Sequence, residues 1–160
     1  MILRPLAFFA ALMAATPIGA ADASLDEGAD PLAVWQADPT VIFEAGDIDL
    51  AAFQWIARPI VIFADTPADP RFKEQMELLT ARPGELAERD VIVITDTDPS
   101  EPSAIRRTLR PRGFMVALID KDGRVNLRKP FPWSVRELSR SIDKMPLRQE
   151  EIRARRGSQG

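Results

Sequence analysis

The sequence predicts an α/β domain: a central sheet of about four strands, a parallel pair plus a C-terminal antiparallel hairpin, flanked by helices. Three observations predict it. Ile60–Ala64, Asp90–Thr95 and Phe114–Ile119 are short runs rich in apolar and β-branched residues, as strands buried on both faces require. Between the first two, Phe72, Met76 and Leu79 recur at i, i+4 and i+7 and mark one face of a helix over Pro70–Ala81. After the third, Asp120-Lys121-Asp122-Gly123 is a hairpin turn signal, and Arg124–Lys129 alternates Val125 and Leu127 with polar residues, as a half-exposed edge strand does.

The remaining elements follow from local signals. Leu32–Gln36 is a short helical piece, and Val41–Phe43 a short edge strand. Leu50–Ile56 is a helical turn expected to pack Phe53, Trp55 and Ile56 ahead of the first central strand. At the end of that strand comes a polar loop, Asp65–Ala68, and then Asp69 as N-cap with Pro70 at the first helical position. Pro83-Gly84 interrupts the helix, and Glu85–Arg89 adds a turn. A strand, a helix and a second strand of this kind make a βαβ unit with parallel strands. Ser103 caps a helix through Leu109, ended by Pro111-Arg112-Gly113. Ser134-Val135-Arg136-Glu137 is a capping box, opening a helix with Val135, Leu138, Ile142 and Met145 on one face, and Pro146 ends it. Leu147–Arg156 reads as a charged extension able to form a helix, with only Leu147 and Ile152 to bury, and Gly157–Gly160 as a frayed end. This element order is that of a thioredoxin-like fold, and fold alone gives no function.

Length and composition bound the chemistry. The chain has 160 residues, one domain by length, with 46% hydrophobic and 28% charged residues, ordinary for a soluble globular protein. Cysteine, histidine and tyrosine are absent. That excludes disulfides, thiol redox couples, His/Cys zinc sites and imidazole-based triads. No pattern calls for a cofactor. Arg4, the apolar run Pro5–Ala15 and the small residues Gly19-Ala20-Ala21 form a secretory signal pattern, with cleavage leaving Asp22 first. The run is too short for a transmembrane anchor, which needs about 20 apolar residues. The predicted layout is a signal peptide over 1–21, an acidic arm over 22–46, the domain over 47–147 and a charged tail over 148–160. The expected location is the periplasm or the medium.

The net charge is −3, but it is unevenly placed. Every charge from Asp22 to Asp49 is acidic, whereas the chain from Arg124 onward is rich in Arg and Lys. Each set reads as a solvated face, and the alternative is two surfaces for different partners or a basic tail for anionic surfaces. No aromatic stacking platform accompanies the basic set, so nucleic acid is not an expected partner.

Three motifs together carry a family resemblance: Arg58-Pro59-Ile60-Val61-Ile62-Phe63-Ala64 with Asp69-Pro70-Arg71; Leu118-Ile119-Asp120-Lys121-Asp122-Gly123 with Leu127-Arg128; and Ile142-Asp143-Lys144-Met145-Pro146-Leu147-Arg148. On these the chain resembles short exported bacterial proteins that share the P-DUDES domain, related to domains of animal secreted sushi-repeat and matrix proteins. The resemblance spans about Leu50 to Arg153. It implies a thioredoxin- or peroxiredoxin-like fold and no established enzyme activity, so no catalytic residue is carried over. Asp120 stands in the turn where the resemblance leads one to expect glycine.

The candidate sites are read from chemistry alone. Asp65, Thr66, Asp69 and Arg71 lie where open α/β sheets place their sites. Thioredoxins put a Cys-x-x-Cys pair there, with the helix N-terminus lowering the thiol pKa. The functional reading is a polar pocket in which Arg71 clamps an anion; the structural one is an N-cap with a local ion pair. Phe131 and Trp133 read either as a partner anchor or as apolar packing against the last helix. Asp96 and Asp98 resemble the start of a calcium loop, but Glu101 replaces the required glycine and Arg107 the closing glutamate, leaving a weak surface site at most. The expected function is a redox-inactive, thioredoxin-like binding or interaction module, its partner an unknown protein or a small anionic ligand. The alternative is a non-thiol enzyme or anion-binding protein using Asp65, Asp69 and Arg71.

Overall fold

The computed structural model describes residues 28–158. The signal peptide assigned to 1–21, the start of the acidic arm over 22–27 and the end of the frayed tail at 159–160 lie outside the described residues. The sheet consists of β1 (Ile42–Glu44), β2 (Arg58–Phe63), β3 (Val91–Asp96), β4 (Met115–Ile119) and β5 (Val125–Lys129), in the order β1-β3-β2-β4-β5. β2 and β3 are parallel, β4 is antiparallel to β2, and β5 closes the antiparallel hairpin. The count is five rather than about four because the short segment at 42–44 does pair, in parallel, with β3.

Helices cover both faces: α1 (Pro31–Ala37), α2 (Pro70–Thr80), α3 (Pro83–Ala87), α4 (Ala104–Leu109), α5 (Val135–Asp143) and α6 (Pro146–Gly157), with 3-10 turns at Ala45–Asp47 and Leu50–Phe53. Strand alternation divides the core between them. Val61 and Phe63 point to the face holding Trp35, Phe53, Ile105 and Leu109, and Ile60 and Ile62 to the face holding Leu79, Leu86, Leu138 and Ile142. Among the described residues no helix is long and apolar enough to cross a membrane.

Three expectations need correction. The acidic stretch read as an arm is built into the domain from Pro31 onward. Asp30 caps α1 through Leu32 N at 3.1 Å, and the buried Trp35 donates its indole N–H to Val91 O at 3.0 Å. Trp35 and Phe43 are the large apolar side chains that anchor the stretch. Trp55, expected to pack inward with Phe53, is 64% exposed. Its φ of 67° is left-handed, which turns the chain sharply into β2 and leaves the indole outside while Phe53 meets Trp35 edge-on. The third correction concerns the C-terminal extension. Pro146 both ends α5 and starts α6, because a proline suits the first helical position. The buried residue of α6 is Arg148, with Leu147 and Ile152 only half-buried.

What docks α6 is charge. Arg58 is fully buried and donates to Asp120 Oδ1 (3.1 Å), Arg89 O (3.0 Å) and both oxygens of Glu151 (2.9 and 3.3 Å). Lys121 Nζ reaches Glu151 at 2.9 Å and Asp90 at 2.8 Å. Arg148 adds a contact to Glu151, and Asp143 pairs with Arg89. Asp120, the residue at the position expected to be glycine, therefore holds a buried ion pair.

Burial opposes ionisation of Glu151, but the hydrogen bonds and charges of Arg58 and Lys121 outweigh it and hold the carboxyl at about 2, below its ordinary 4.5. A depressed folded-state pKa gives stability that is complete above the unfolded value and is lost as pH falls toward the folded one. Stability should thus decline between pH 4.5 and about 2. Glu151→Gln should flatten that decline in urea melts taken across this range; an unchanged slope would remove Glu151 from the acid response.

Candidate functional site

The C-terminal ends of β2 and β3 meet the loop 64–69 and the start of α2. The strand ends are fixed by Arg106, which is buried on α4. Its Nε donates to Asp96 Oδ1 at 2.7 Å, and Nη2 donates to Ala64 O and Asp96 O at 2.8 and 2.9 Å. Ser103, the N-cap of α4, donates its hydroxyl to Asp96 Oδ2 at 2.6 Å. Both Asp96 oxygens thus accept hydrogen bonds from α4. Asp98 holds Ser100 N at 2.9 Å, and the side-chain and backbone bonds from Ser100 lower its pKa. Among the described residues no cluster of three or more acidic groups has metal-ligand placement.

The loop residues fall as follows. Asp65 and Thr66 are exposed; Thr66 Oγ1 accepts from Ala68 N at 3.2 Å and Thr66 O from Asp69 N at 3.2 Å, which makes the turn. Asp69 is the N-cap of α2, accepting from Arg71 N at 2.8 Å. The Arg71 guanidinium returns to the same carboxylate at 3.0 and 3.3 Å and lies 5.4 Å over the Phe114 ring. Hydrogen bonds from the Arg71 side chain and backbone lower the Asp69 pKa, and the Asp69 carboxylate raises that of Arg71. Cap and clamp thus spend their bonding on each other. Asp69→Ala should lower the melting temperature by a few degrees through the lost cap, whereas Arg71→Ala, on an exposed pair, should leave it near wild type. Thermal melts that reverse this order would contradict the assignment.

Phe131 and Trp133 are separated. Phe131 is 52% exposed. Trp133 packs against the core on the α5 face, with Lys129 Nζ 4.4 Å above its ring. Its backbone N and O are both held by the side chain of the buried Gln75, at 2.8 and 2.9 Å. Helical periodicity gives no signal for Gln75, a polar residue set among apolar neighbours.

Sequence reasoning also missed a basic groove beside the loop. Register pairs Val116 with Lys129 and Ala117 with Arg128, so the end of β5 lies next to the residues that open β4. There Arg110, Arg112, Arg128 and Lys129 surround a cavity of about 290 Å³ floored by Phe114, Met115 and Pro130. None of the four cations has an acidic partner within 4.0 Å among the described residues. Phe114 is common to this groove and to the Arg71 stack, so the two adjoin. Arg110-Pro111-Arg112 and Arg128-Lys129-Pro130 are visible in the sequence, and the antiparallel hairpin expected there was the signal that could have joined them.

Comparison with known proteins places the architecture. The reduced 2-Cys peroxiredoxin of Plasmodium vivax superposes with a TM-score of 0.53 at 15% identity, covering 64% of this chain and 85% of that one. Thioredoxin peroxidase I of Plasmodium yoelii gives 0.50 at 18% identity, covering 64% and 80%. At these identities the likeness shows a thioredoxin-like fold. The first relative is named for two cysteines, and this chain has none. No curated protein matches the chain. A family model described as a domain of unknown function, DUF4174, matches residues 49–151.

Proposed function

We propose, given that this chain belongs to the DUF4174 domain family, that it is an exported binding module working without thiol chemistry. Its recognition surface is the end of the sheet where β2 meets α2. The observation that carries this reading is Asp69. At the helix start where a thioredoxin carries its reactive sulfur, the chain places a carboxylate that caps the helix and pairs with Arg71. A thiolate is the reacting species in disulfide and thiol-peroxidase chemistry, and this chain has no sulfur nucleophile to supply one. The enzyme alternative using Asp65, Asp69 and Arg71 draws little support from a carboxylate and guanidinium that are already satisfied by one another. The basic residues that line the groove beside Phe114 favour a partner or ligand that presents negative charge.

The purified protein is expected to show no thiol-dependent reduction of insulin and no thiol-dependent turnover of peroxide. A pull-down from periplasmic extract, with the chain from Asp22 onward as bait, is expected to recover a partner. Thiol-dependent turnover free of contaminating flavin or metal, or the absence of any captured ligand, would defeat the reading. Export is checked separately: mass spectrometry of native protein should find an N-terminus near Asp22, and an intact Met1 would contradict it.

A further inference from the structure

We propose that the groove between the α4–β4 loop and the end of β5 binds a phosphate monoester of a small molecule with a flat apolar body. The proposal rests on the binding-module reading and names a ligand class for that end of the sheet. Three features of the groove support it.

The first is convergence. Arg110 and Arg112 come from the loop before β4, and Arg128 and Lys129 from the end of β5. Two chain segments therefore bring three arginines to one concavity, while Lys129, next to Arg128 on the strand, turns its ammonium to the other face of the sheet over Trp133. A merely solvated basic face would spread its cations over convex surface, where water and salt screen them from each other. Holding like charges together without acids costs stability, and a dianion placed among them removes that cost.

The second is preorganisation. The Arg128 guanidinium donates to Leu109 O at the end of α4, and Lys129 Nζ rests over the Trp133 ring. The Arg128 guanidinium is thus held before any ligand arrives, which lowers the entropy lost on binding, whereas the Lys129 ammonium is held on the opposite face of the sheet. Arg110 sits at φ 50° as the C-cap of α4, a left-handed position where glycine is the usual residue. Arg112 is exposed, and no hydrogen bond or ion pair holds its side chain among the described residues. A guanidinium fork matches two oxygens of a phosphoryl group at once.

The third is shape. The floor of Phe114, Met115 and Pro130 is apolar, and the volume of about 290 Å³ lies at the small end of ligand pockets. It fits one phosphoryl group with a ring-sized body, and it does not continue as the extended track a polyanion needs. The dianionic charge of a phosphate monoester uses the three arginines better than the single charge of a sulfate ester.

The test is a titration of the ¹⁵N-labelled protein, followed by amide shifts, with phenyl phosphate, phenyl sulfate, inorganic phosphate and benzyl alcohol. Phenyl phosphate is expected to give saturable shifts confined to residues 110–115 and 128–131, weakened by added salt. Phenyl sulfate and inorganic phosphate should each bind more weakly, and benzyl alcohol should not saturate. Arg112→Glu, at a side chain that holds nothing in the fold, should weaken phenyl phosphate by about tenfold or more, the scale of one charge-assisted pair. Four results would overturn the proposal: no saturation with phenyl phosphate, equal affinity in the Arg112→Glu protein, tighter binding of phenyl sulfate, or shifts confined to residues 65–71. The pull-down separates this proposal from the reading beneath it. A partner captured equally by wild type and Arg112→Glu, with no phenyl phosphate binding, would end the groove proposal and leave the binding module standing. Phenyl phosphate binding with no captured partner would support the groove and count against a protein-docking role.

Discussion

Arg58→Met is expected to destabilise the protein by about 3–5 kcal/mol, the range for breaking a buried ion pair by removing one partner. Methionine fills much of the arginine volume, so the loss is electrostatic rather than a cavity. Asp120, only 7% exposed, keeps just the Lys121 backbone N–H at 2.8 Å when the guanidinium is gone. Glu151 keeps Lys121 and Arg148, but loses the two bonds that tie α6 to β2. Urea denaturation should show the drop, and hydrogen exchange should show α6 opening first. Asp120→Asn in the Arg58→Met background should recover part of it, because a neutral amide costs less to bury unpaired than a carboxylate. A loss below about 1 kcal/mol would mean that water reaches Asp120 and that the pair is no more than a surface one.

Arg106→Met is the second large effect, again about 3–5 kcal/mol by the same mechanism. It strips Asp96 Oδ1 of its cation and Ala64 O of its donor. It also removes the guanidinium lying 5.4 Å over Phe63. Unlike the Arg58 variant, it acts at the end of the sheet proposed above as the recognition surface. The loop 65–69 starts from Ala64, so limited proteolysis should cut there faster in Arg106→Met than in wild type or in Arg58→Met. Equal cleavage in all three would show that the loop holds its shape without Arg106. Asp96→Asn combined with Arg106→Met should be more stable than Arg106→Met alone, since the stranded charge is then gone.

Much of the fold was legible because its signals are local or periodic. The apolar runs of β2, β3 and β4, the Asp69, Ser103 and Ser134 caps and the Asp-Gly turn stand at the expected positions, with boundaries within a residue or two. The candidate loop was legible to the same degree: Asp69 was readable as an N-cap from its place before Pro70, and it is one. Periodicity failed where a polar residue does a core residue's work. Gln75, Arg58 and Arg106 are all buried, and each is satisfied by partners far along the chain; Arg148 is buried beside the nearby Asp143 and Glu151. Composition failed in α6, where one carboxylate docks a segment with few apolar residues; around Trp35 the acidic charges masked a stretch that is itself largely apolar.

The sequence by itself determined the strands, the caps, the hairpin and the absence of thiol and imidazole chemistry, since each depends on residue type and short spacing. Only the tertiary structure decided that Arg58 joins Asp120 and Glu151 across separations of 62 and 93 residues. It likewise decided that Arg71 folds back on Asp69 and that arginines from either side of the hairpin line one groove. The physical reason is common to all three. A charge's partner is set by which groups the packed sheet and helices bring within a few ångströms, and burial then determines how strongly that pairing counts.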